Sequence, residues 1–260
     1  MRKRFMTGAL AIGFAAMLTL SGCGAPGGDI DADYQLYEAA SAAMNEAVSI
    51  EMDMNTTMNM KSGEEGSDFG FKMEGNIKTI KKSDTEFEME MRQTTDMLGA
   101  SSETVTYFKD GYMYIEMDGE RIKMELPMED ALAQANNSAM VFDQSAIQKS
   151  SSKDTDGGKE IVFTVSGDAL KDYIEQGTAG ALAGLNEGVD INYGDSIITA
   201  VIDKDINMVS LSLSMSFDIA AVEEGESVTT EITIDMFNIS TDNITIDFPA
   251  DLDSYEAIAA

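Results

Sequence analysis

Alternation of apolar and polar residues over long segments limits most strongly what this chain can fold into. In the segment 87–92, apolar residues occupy every odd position and charged residues every even one, and 50–60, 69–77 and 209–219 follow nearly the same period. Successive side chains of a strand point to opposite faces, so each segment predicts a strand with one apolar face. Such strands predict an antiparallel sheet with one face in water.

Turn residues predict two hairpins within this pattern. Lys109-Asp110-Gly111 separates an apolar run that ends at Phe108 from the next run, and Asp118-Gly119 leads into another. Asp-Gly is favoured at these places because a type I′ turn needs positive φ at both central residues. The region 105–126 is therefore predicted to be a three-stranded meander.

Helical spacing is confined to a few segments. Residues 34–48 carry one apolar stripe and follow Asp33, a plausible N-cap, so they predict a helix. A short helix is predicted over 128–134, and another, weakened by glycines, after Ser166. Residues 135–158 are rich in Asn, Ser, Lys, Asp and Gly and predict a long surface connection.

The second half of the chain returns to the strand pattern. Strands are predicted near 161–165, 196–203, 208–219, 227–239 and 243–248. Many one-faced strands and few helices predict an α+β fold, in which a strongly curved antiparallel sheet, or half-barrel, carries the helices on its concave face. Neither half closes a sheet by itself, so we predict a single domain over 34–256.

The first 22 residues predict an export signal, with basic residues at 2–4 and an apolar run at 8–20 that is too short to span a bilayer. The signal ends in a segment that resembles the lipobox of bacterial lipoproteins, namely Leu20, Ser21, Gly22 and Cys23. This resemblance implies a diacylglycerol on the Cys23 thiol, cleavage before Cys23, and a flexible tether over 23–33. The protein would then lie on the extracytoplasmic face of a bacterial membrane. An ordinary signal peptide with an incidental Cys is the alternative.

Composition excludes most kinds of catalytic site. The chain has no His and one Cys, so zinc sites, Ser-His-Asp triads and Cys-His nucleophiles lack their members. A formal net charge of -30 argues against nucleic acid as a partner. Met-x-Met pairs follow the strand period rather than marking Cu(I), and the segment 154–157 lacks most ligands of a calcium loop. We predict no enzymatic activity, no metal and no cofactor.

The order of these elements resembles the LolA/LppX-like lipoproteins: a lipobox, a helix, a block of strands, a helical interruption and a second block. The stretch from Tyr107 to Met124 resembles Gram-positive lipoproteins of that group, and the turn at 202–205 and the closing Ile246-Asp-Phe-Pro-Ala fit the same pattern. The resemblance covers roughly 34–255. It implies a half-barrel whose hydrophobic cavity holds acyl chains.

We therefore predict a membrane-anchored, non-catalytic lipoprotein that binds a lipid or acylated molecule in an apolar cavity. Methionine, with 20 copies, suits surfaces that accept variable apolar shapes. The residues predicted to line the cavity are Leu36, Met44, Ile50, Met52, Met54, Met58, Met60, Phe69, Phe71, Met73, Phe87, Met89, Met91, Leu211, Leu213, Met215 and Phe217. Plain core packing is the alternative for each of them. For the whole protein the alternative is a cell-envelope scaffold or sensor that has a packed core and binds a protein partner.

Overall fold

Most of the residues that the structure describes form one large, curved and unclosed β-sheet. The computed structural model describes residues 28–62, 69–83, 86–127, 142–171, 191–220 and 227–258. The signal, the lipobox and the helix predicted over 128–134 lie outside these ranges. Strands make up 65% of the structure, so the predicted α+β class is corrected to mostly β, while the curved open sheet agrees with the predicted half-barrel.

The described ranges contain one long helix and 13 strands. The helix α1 spans Ile30–Glu46. The strands are β1 Ser49–Ser62, β2 Phe69–Ser83, β3 Glu86–Met97, β4 Ala100–Lys109, β5 Tyr112–Met117, β6 Glu120–Glu125, β7 Ile147–Thr155, β8 Gly158–Val165, β9 Ile191–Tyr193, β10 Ser196–Asp203, β11 Met208–Ala220, β12 Ser227–Ser240 and β13 Glu256–Ala257. Short 3₁₀ turns occupy Gln144–Ala146 and Leu252–Ser254.

The sheet joins two blocks of strands through a long-range pair at its centre. The strand order is β13-β6-β5-β4-β3-β2-β1-β12-β11-β10-β8-β7, with β9 paired to one end of β11. Neighbours are antiparallel except β13, which runs parallel to β6. β1 and β12 meet through pairs such as Met54 with Met236 and Met58 with Ile232. Strands from both ends of the chain therefore form the middle of the sheet.

Tight turns connect β3 to β4, β4 to β5 and β5 to β6, and both predicted hairpins are confirmed. Asp110 and Gly111 have φ of 52° and 79°, and Asp118 and Gly119 have φ of 51° and 85°. Positive φ at two successive residues is the backbone that a type I′ turn requires. The β3–β4 turn has the same backbone at Leu98 and Gly99, with φ of 52° and 80°, and the sequence did not predict it.

Helix α1 begins at Ile30, four residues before the predicted start and within the segment assigned to the tether. The N-cap is Asp29, whose side chain accepts a hydrogen bond from the Ala32 N–H at 3.3 Å. The predicted cap, Asp33, lies inside the helix instead. The buried side of α1 is formed by Asp33, Tyr37, Ala40 and Met44, which recur at helical spacing. We call the sheet face against which these residues pack the inner face.

Asp33 fixes α1 to the sheet through a buried ion pair. Its side chain is 1% exposed, and its carboxylate accepts hydrogen bonds from Lys159 Nζ at 2.8 Å and from Ser150 Oγ at 2.6 Å. Burial alone raises the pKa of this carboxyl, but hydrogen bonds from Lys159, Ser150 and Ser152 outweigh that effect, so the pKa of Asp33 is lowered. The first turns of α1 are thus fixed against β7 and β8.

The main hydrophobic core lies between α1 and the inner face of β8, β10, β11 and β12. Its side chains come from register-paired positions, for example Phe163 with Ile198, and Ile198 with Leu213. All three of these side chains are fully buried. The predicted alternation of strand 209–219 is confirmed from Leu211 to Ile219, because the odd positions there are buried on this face. It is wrong at Val209, which is 40% exposed, because a register shift against β10 places Met208 in the core instead.

Two predictions in the second half of the chain are wrong. Residues 147–155 of the connection predicted over 135–158 form strand β7, whose sequence is too polar to show a period because β7 lies at the edge of the sheet. Residues 135–141 of that prediction lie outside the described residues. Residues 243–248 are not a strand; they run in irregular conformation toward the C-terminal turn. The helix predicted after Ser166 is present over 167–171, and its continuation lies outside the described residues.

Candidate functional site

The inner face of strands β1–β6 is almost uncharged. Its charged positions in the described strands are Lys81, opposite Phe87 near the end of β2, and Glu120, opposite Met117 at the start of β6. Cross-strand pairs define its positions: Met52 pairs with Ile77 and Ile77 with Met91, and the same row continues to Ile115. We call this surface the methionine face; its residues are Ile50, Met52, Met54, Thr56, Met58, Met60, Phe69, Phe71, Met73, Gly75, Ile77, Thr79, Met89, Met91, Gln93, Thr95, Met97, Ala100, Ser102, Thr104, Thr106, Phe108, Met113, Ile115, Met117, Ile122 and Met124. Each flanking position on the same strands belongs to the other, outer face.

Much of the methionine face is only half-buried. Five of the predicted cavity residues belong to none of the hydrophobic clusters of the described chain, although each remains partly shielded from solvent: Met60, Phe69, Phe71, Met73 and Met91. Towards the β3–β4 turn the exposure rises, to 47% at Met97 and 77% at Leu98, and Met117 is 46% exposed. A large, contiguous apolar surface of this kind is typical of a binding site.

The other predicted cavity residues occupy packed positions. Met44, Met52, Leu211, Leu213, Met215 and Phe217 are buried in the main core, and Leu36, Ile50, Met54 and Met58 pack against that core. Phe87 forms a smaller cluster with Phe108, against which Met89 and Leu126 pack. The structure therefore divides the predicted cavity into a packed group and the open group on β1–β3.

The outer face of β4–β6 is covered by the C-terminal segment. Tyr255 packs with Tyr107 and Tyr114, and its hydroxyl donates a hydrogen bond to the Glu116 carboxylate. Burial and this hydrogen bond raise the pKa of Tyr255. Arg121 donates to Asp251 at 2.7 Å and holds the segment from the other side. In these three strands the outer face is thus shielded by aromatic residues, whereas the exposed apolar side chains lie on the inner face.

One buried hydroxyl adjoins the methionine face without a partner. Thr230 on β12 pairs in register with Met60 on β1 and with Phe217 on β11. It is 1% exposed, and its Oγ1 atom has no hydrogen-bond partner among the described residues. Ser196 Oγ on β10 is the other such atom in these ranges.

A separate small pocket lies at the C-terminal end of α1. Its volume is about 170 Å³, and Met44, Met208, Ile239, Asp203 and Asp242 are among its lining residues. Ligand sites for small molecules commonly measure roughly 300–1,000 Å³, so this pocket is too small to be the predicted acyl cavity. Within the described ranges, no three acidic or Cys side chains lie close enough together to hold a metal ion.

Several residues of the methionine face were absent from the sequence prediction. Met97, Met113, Met117 and Met124 lie on it, and the confirmed turns contained the signal that identifies most of them. A two-residue turn at 110–111 pairs Met113 with Phe108, and the turn at 118–119 pairs Met124 with Met113. Leu20, Ser21, Gly22 and Cys23 lie outside the described residues, so lipidation stays a prediction.

The chain was compared with protein families and with known proteins. A family model described as "Family of unknown function (DUF6612)" matches residues 33–251. The chain belongs to this family. No curated protein matches this DUF6612 chain. Within the described ranges, no helix combines the length and the hydropathy that a membrane span requires.

Solved structures similar to this DUF6612 chain share little of its sequence. LprF from Mycobacterium bovis is 13% identical with a TM-score of 0.46, and the alignment covers 85% of this chain and 98% of LprF. A DUF1329 family protein from Desulfovibrio piger is 10% identical with a TM-score of 0.25, covering 84% and 95%. The ywiB protein from Bacillus subtilis is 9% identical with a TM-score of 0.19, covering 71% and 91%.

Proposed function

We propose that this DUF6612 chain is a non-catalytic lipoprotein, anchored through Cys23 to the extracytoplasmic face of a bacterial membrane, that binds a lipid or another acylated molecule on its methionine face. The observation that carries the proposal is the half-buried, methionine-rich surface on the inner side of β1–β3, where Lys81 at the end of β2 is the charged residue among apolar and neutral polar ones. The resemblance to LolA/LppX-like lipoproteins, drawn from the sequence, points the same way.

The chemistry of the methionine face suits an acyl chain. Thioether side chains are unbranched and polarizable, so they adapt to chains of different length and unsaturation. Burial of ten methylene groups at about 0.8 kcal/mol each contributes about 8 kcal/mol. Since the entropic costs of association are subtracted from this gain, a Kd of about 1 μM is the tightest binding that these groups alone would give. Because α1 is fixed over the other half of the sheet by Asp33, binding does not require α1 to move.

The test is mass spectrometry of an organic extract from the exported protein carrying Cys23→Ser, purified from a lipid-replete bacterium. We expect a stoichiometric lipid, and we expect the wild-type protein in the membrane fraction and the variant in the soluble one. Met73→Glu places a charge on the methionine face and should remove the lipid. The matched control Thr57→Glu places the same charge on the outer face, opposite Lys72, and should retain it.

The proposal fails if the delipidated protein takes up no fatty-acyl or glycolipid probe in a saturable manner. The alternative, a scaffold or sensor that binds a protein partner, is favoured by the fully packed core under α1. This alternative would be supported if the purified protein carries no lipid, melts cooperatively and retains one cell-envelope protein through washing.

A further inference from the structure

The buried hydroxyl of Thr230 lowers the stability of the folded protein, and no hydrogen bond from the described residues compensates for it. A hydroxyl removed from water and given no hydrogen-bond partner destabilises a folded protein, and native structures contain few such groups. The Oγ1 atom of Thr230 is in this state in the described structure. A valine of the same shape would fill the site without that cost, so the hydroxyl calls for a partner that the described residues do not provide.

The position of Thr230 places this hydroxyl at one border of the methionine face. Thr230 is the inner-face residue of β12 directly opposite Met60, and Met60 in turn is opposite Phe69. Adjacent strands lie about 4.8 Å apart, so Thr230 is one strand away from the half-buried surface. On its other side stands Phe217, which is buried in the main core. The hydroxyl therefore lies where the open surface meets the packed half.

The residues around Thr230 limit which chemical groups can accept a hydrogen bond from its hydroxyl. Its register neighbours Met60 and Phe217 are apolar, and along β12 the next inner-face residues are Val228 and Ile232. A carboxylate or phosphate buried among these side chains would lack a countercharge, which makes the charged group costly. A neutral acceptor such as an ester carbonyl accepts a hydrogen bond from a hydroxyl without that cost.

We propose that Thr230 is the polar anchor of the lipid site, and that its hydroxyl donates a hydrogen bond to the ester carbonyl of an acyl ester whose chain lies on the methionine face. The proposal rests on the lipid-binding function proposed above and deepens it. The ligand class is a neutral acyl ester, such as an acylglycerol, rather than a free fatty acid or a hydrocarbon.

The test compares two probes that differ only in the carbonyl, 1-monopalmitoylglycerol and 1-O-hexadecylglycerol, with the Cys23→Ser protein as reference. Thr230→Val keeps the shape and removes the hydroxyl. We expect this variant to bind the ester about threefold to tenfold more weakly and the ether equally well. Thr230→Ser keeps the hydroxyl and should retain the preference for the ester.

A matched control uses the second unpartnered hydroxyl. Ser196 is fully buried on β10, two strands from β12, and pairs with Val165 rather than with the methionine face. Ser196→Ala should therefore leave the affinity for both probes unchanged. Thr230→Val is expected to melt at or above the temperature of the reference protein, because an unpaired buried hydroxyl has been replaced by a methyl group.

Two results overturn the anchor. If Thr230→Val binds the ester as tightly as the reference does, the lipid site is still supported, but the proposed hydrogen bond from Thr230 is rejected. If the reference protein binds neither the ester nor the ether, the proposed function itself fails and the anchor fails with it. Equal weakening of ester and ether binding would show a packing effect and would also reject the hydrogen bond.

Discussion

The two halves of the sheet follow the same strand pattern but have different inner faces. In β8 and β10–β12 the inner face lies under α1, and residues such as Phe163, Ile198 and Leu213 are fully buried. In β1–β3 the corresponding positions, such as Phe71 and Met73, stay half-buried. A period of two thus defines which face is apolar, but the neighbouring elements decide how deeply that face is buried.

The two inner faces also differ in side-chain type. The covered face is built mainly of branched and aromatic residues, which have few rotamers and pack in one arrangement, although Met208, Met215 and Met236 also lie on it. The inner face of β1–β3 has a larger share of unbranched methionine. Rigid packing suits the surface that holds α1, and adaptable packing suits the surface that we propose for a ligand. Substitutions matched between the two faces should therefore differ in their effects on stability.

The largest effect is expected from truncation of an aromatic residue in each half. Phe163→Ala opens a cavity in the packed core and should lower the free energy of unfolding by about 3–5 kcal/mol. Phe71→Ala removes a half-buried ring from the methionine face and should cost about 1 kcal/mol. Urea denaturation of both variants, with equal m-values, provides the measurement. Equal losses would show that the methionine face is packed as tightly as the core.

A smaller effect is expected when α1 loses its buried ion pair. Asp33→Asn removes the charge that accepts hydrogen bonds from Lys159 and Ser150, and the free energy of unfolding should fall by about 2 kcal/mol. Glu38→Gln, at an exposed position of the same helix, should change it by less than about 0.5 kcal/mol. If the two variants are equally stable, the ion pair does not secure α1.

This contribution should depend on pH in one direction. The folded-state pKa of Asp33 is lowered, so its stabilisation is fully present above the ordinary Asp pKa of 3.8 and is lost as the pH falls below that value through the folded-state pKa. Denaturation of wild type and Asp33→Asn at pH 7 and then in steps below pH 4 should show the difference shrinking toward acid. A difference that grows toward acid would contradict this assignment.

The smallest expected effect is at the β3–β4 turn. Leu98 is 77% exposed and has φ of 52°, a backbone that Asn and Asp adopt more readily than Leu. Leu98→Asn should raise the free energy of unfolding by about 0.5–1 kcal/mol. The reverse change, Asp110→Leu in the equivalent β4–β5 turn, should lower the melting temperature. A melting temperature unchanged in both would mean that these turns carry no strain.

Sequence patterns predicted the strands and turns that have strong local signals. The alternation in 87–92 and the Asp-Gly pairs at 110–111 and 118–119 appear in the structure as predicted. Strand β7 was missed because an edge strand with a polar sequence has no apolar period. The β3–β4 hairpin was missed because its first turn position is occupied by Leu98, whereas Asn or Asp at that position would have indicated a turn.

The candidate site was predictable only in part, for a physical reason. Met215 and Met73 stand at equivalent places in alternating strands, yet Met215 is 5% exposed and belongs to the main core while Met73 is half-buried outside it. The difference depends on where α1 packs and on the pairing of β1 with β12, both of which are long-range contacts. Thr230 carried no sequence signal either, because its isolation is a property of its neighbours in space.

The pairing of β1 with β12 also determines the order in which the molecule can form. Met54 and Met236 pair although they are 182 positions apart in the chain, whereas β1–β6 and most of the second block pair with their sequence neighbours. Long-range pairing slows folding because the entropy of closing a large loop is lost before any contact is gained. During synthesis the first meander can form before β12 is made, so its apolar face and the unpaired edge of β1 stay exposed to aggregation until the last strands are added.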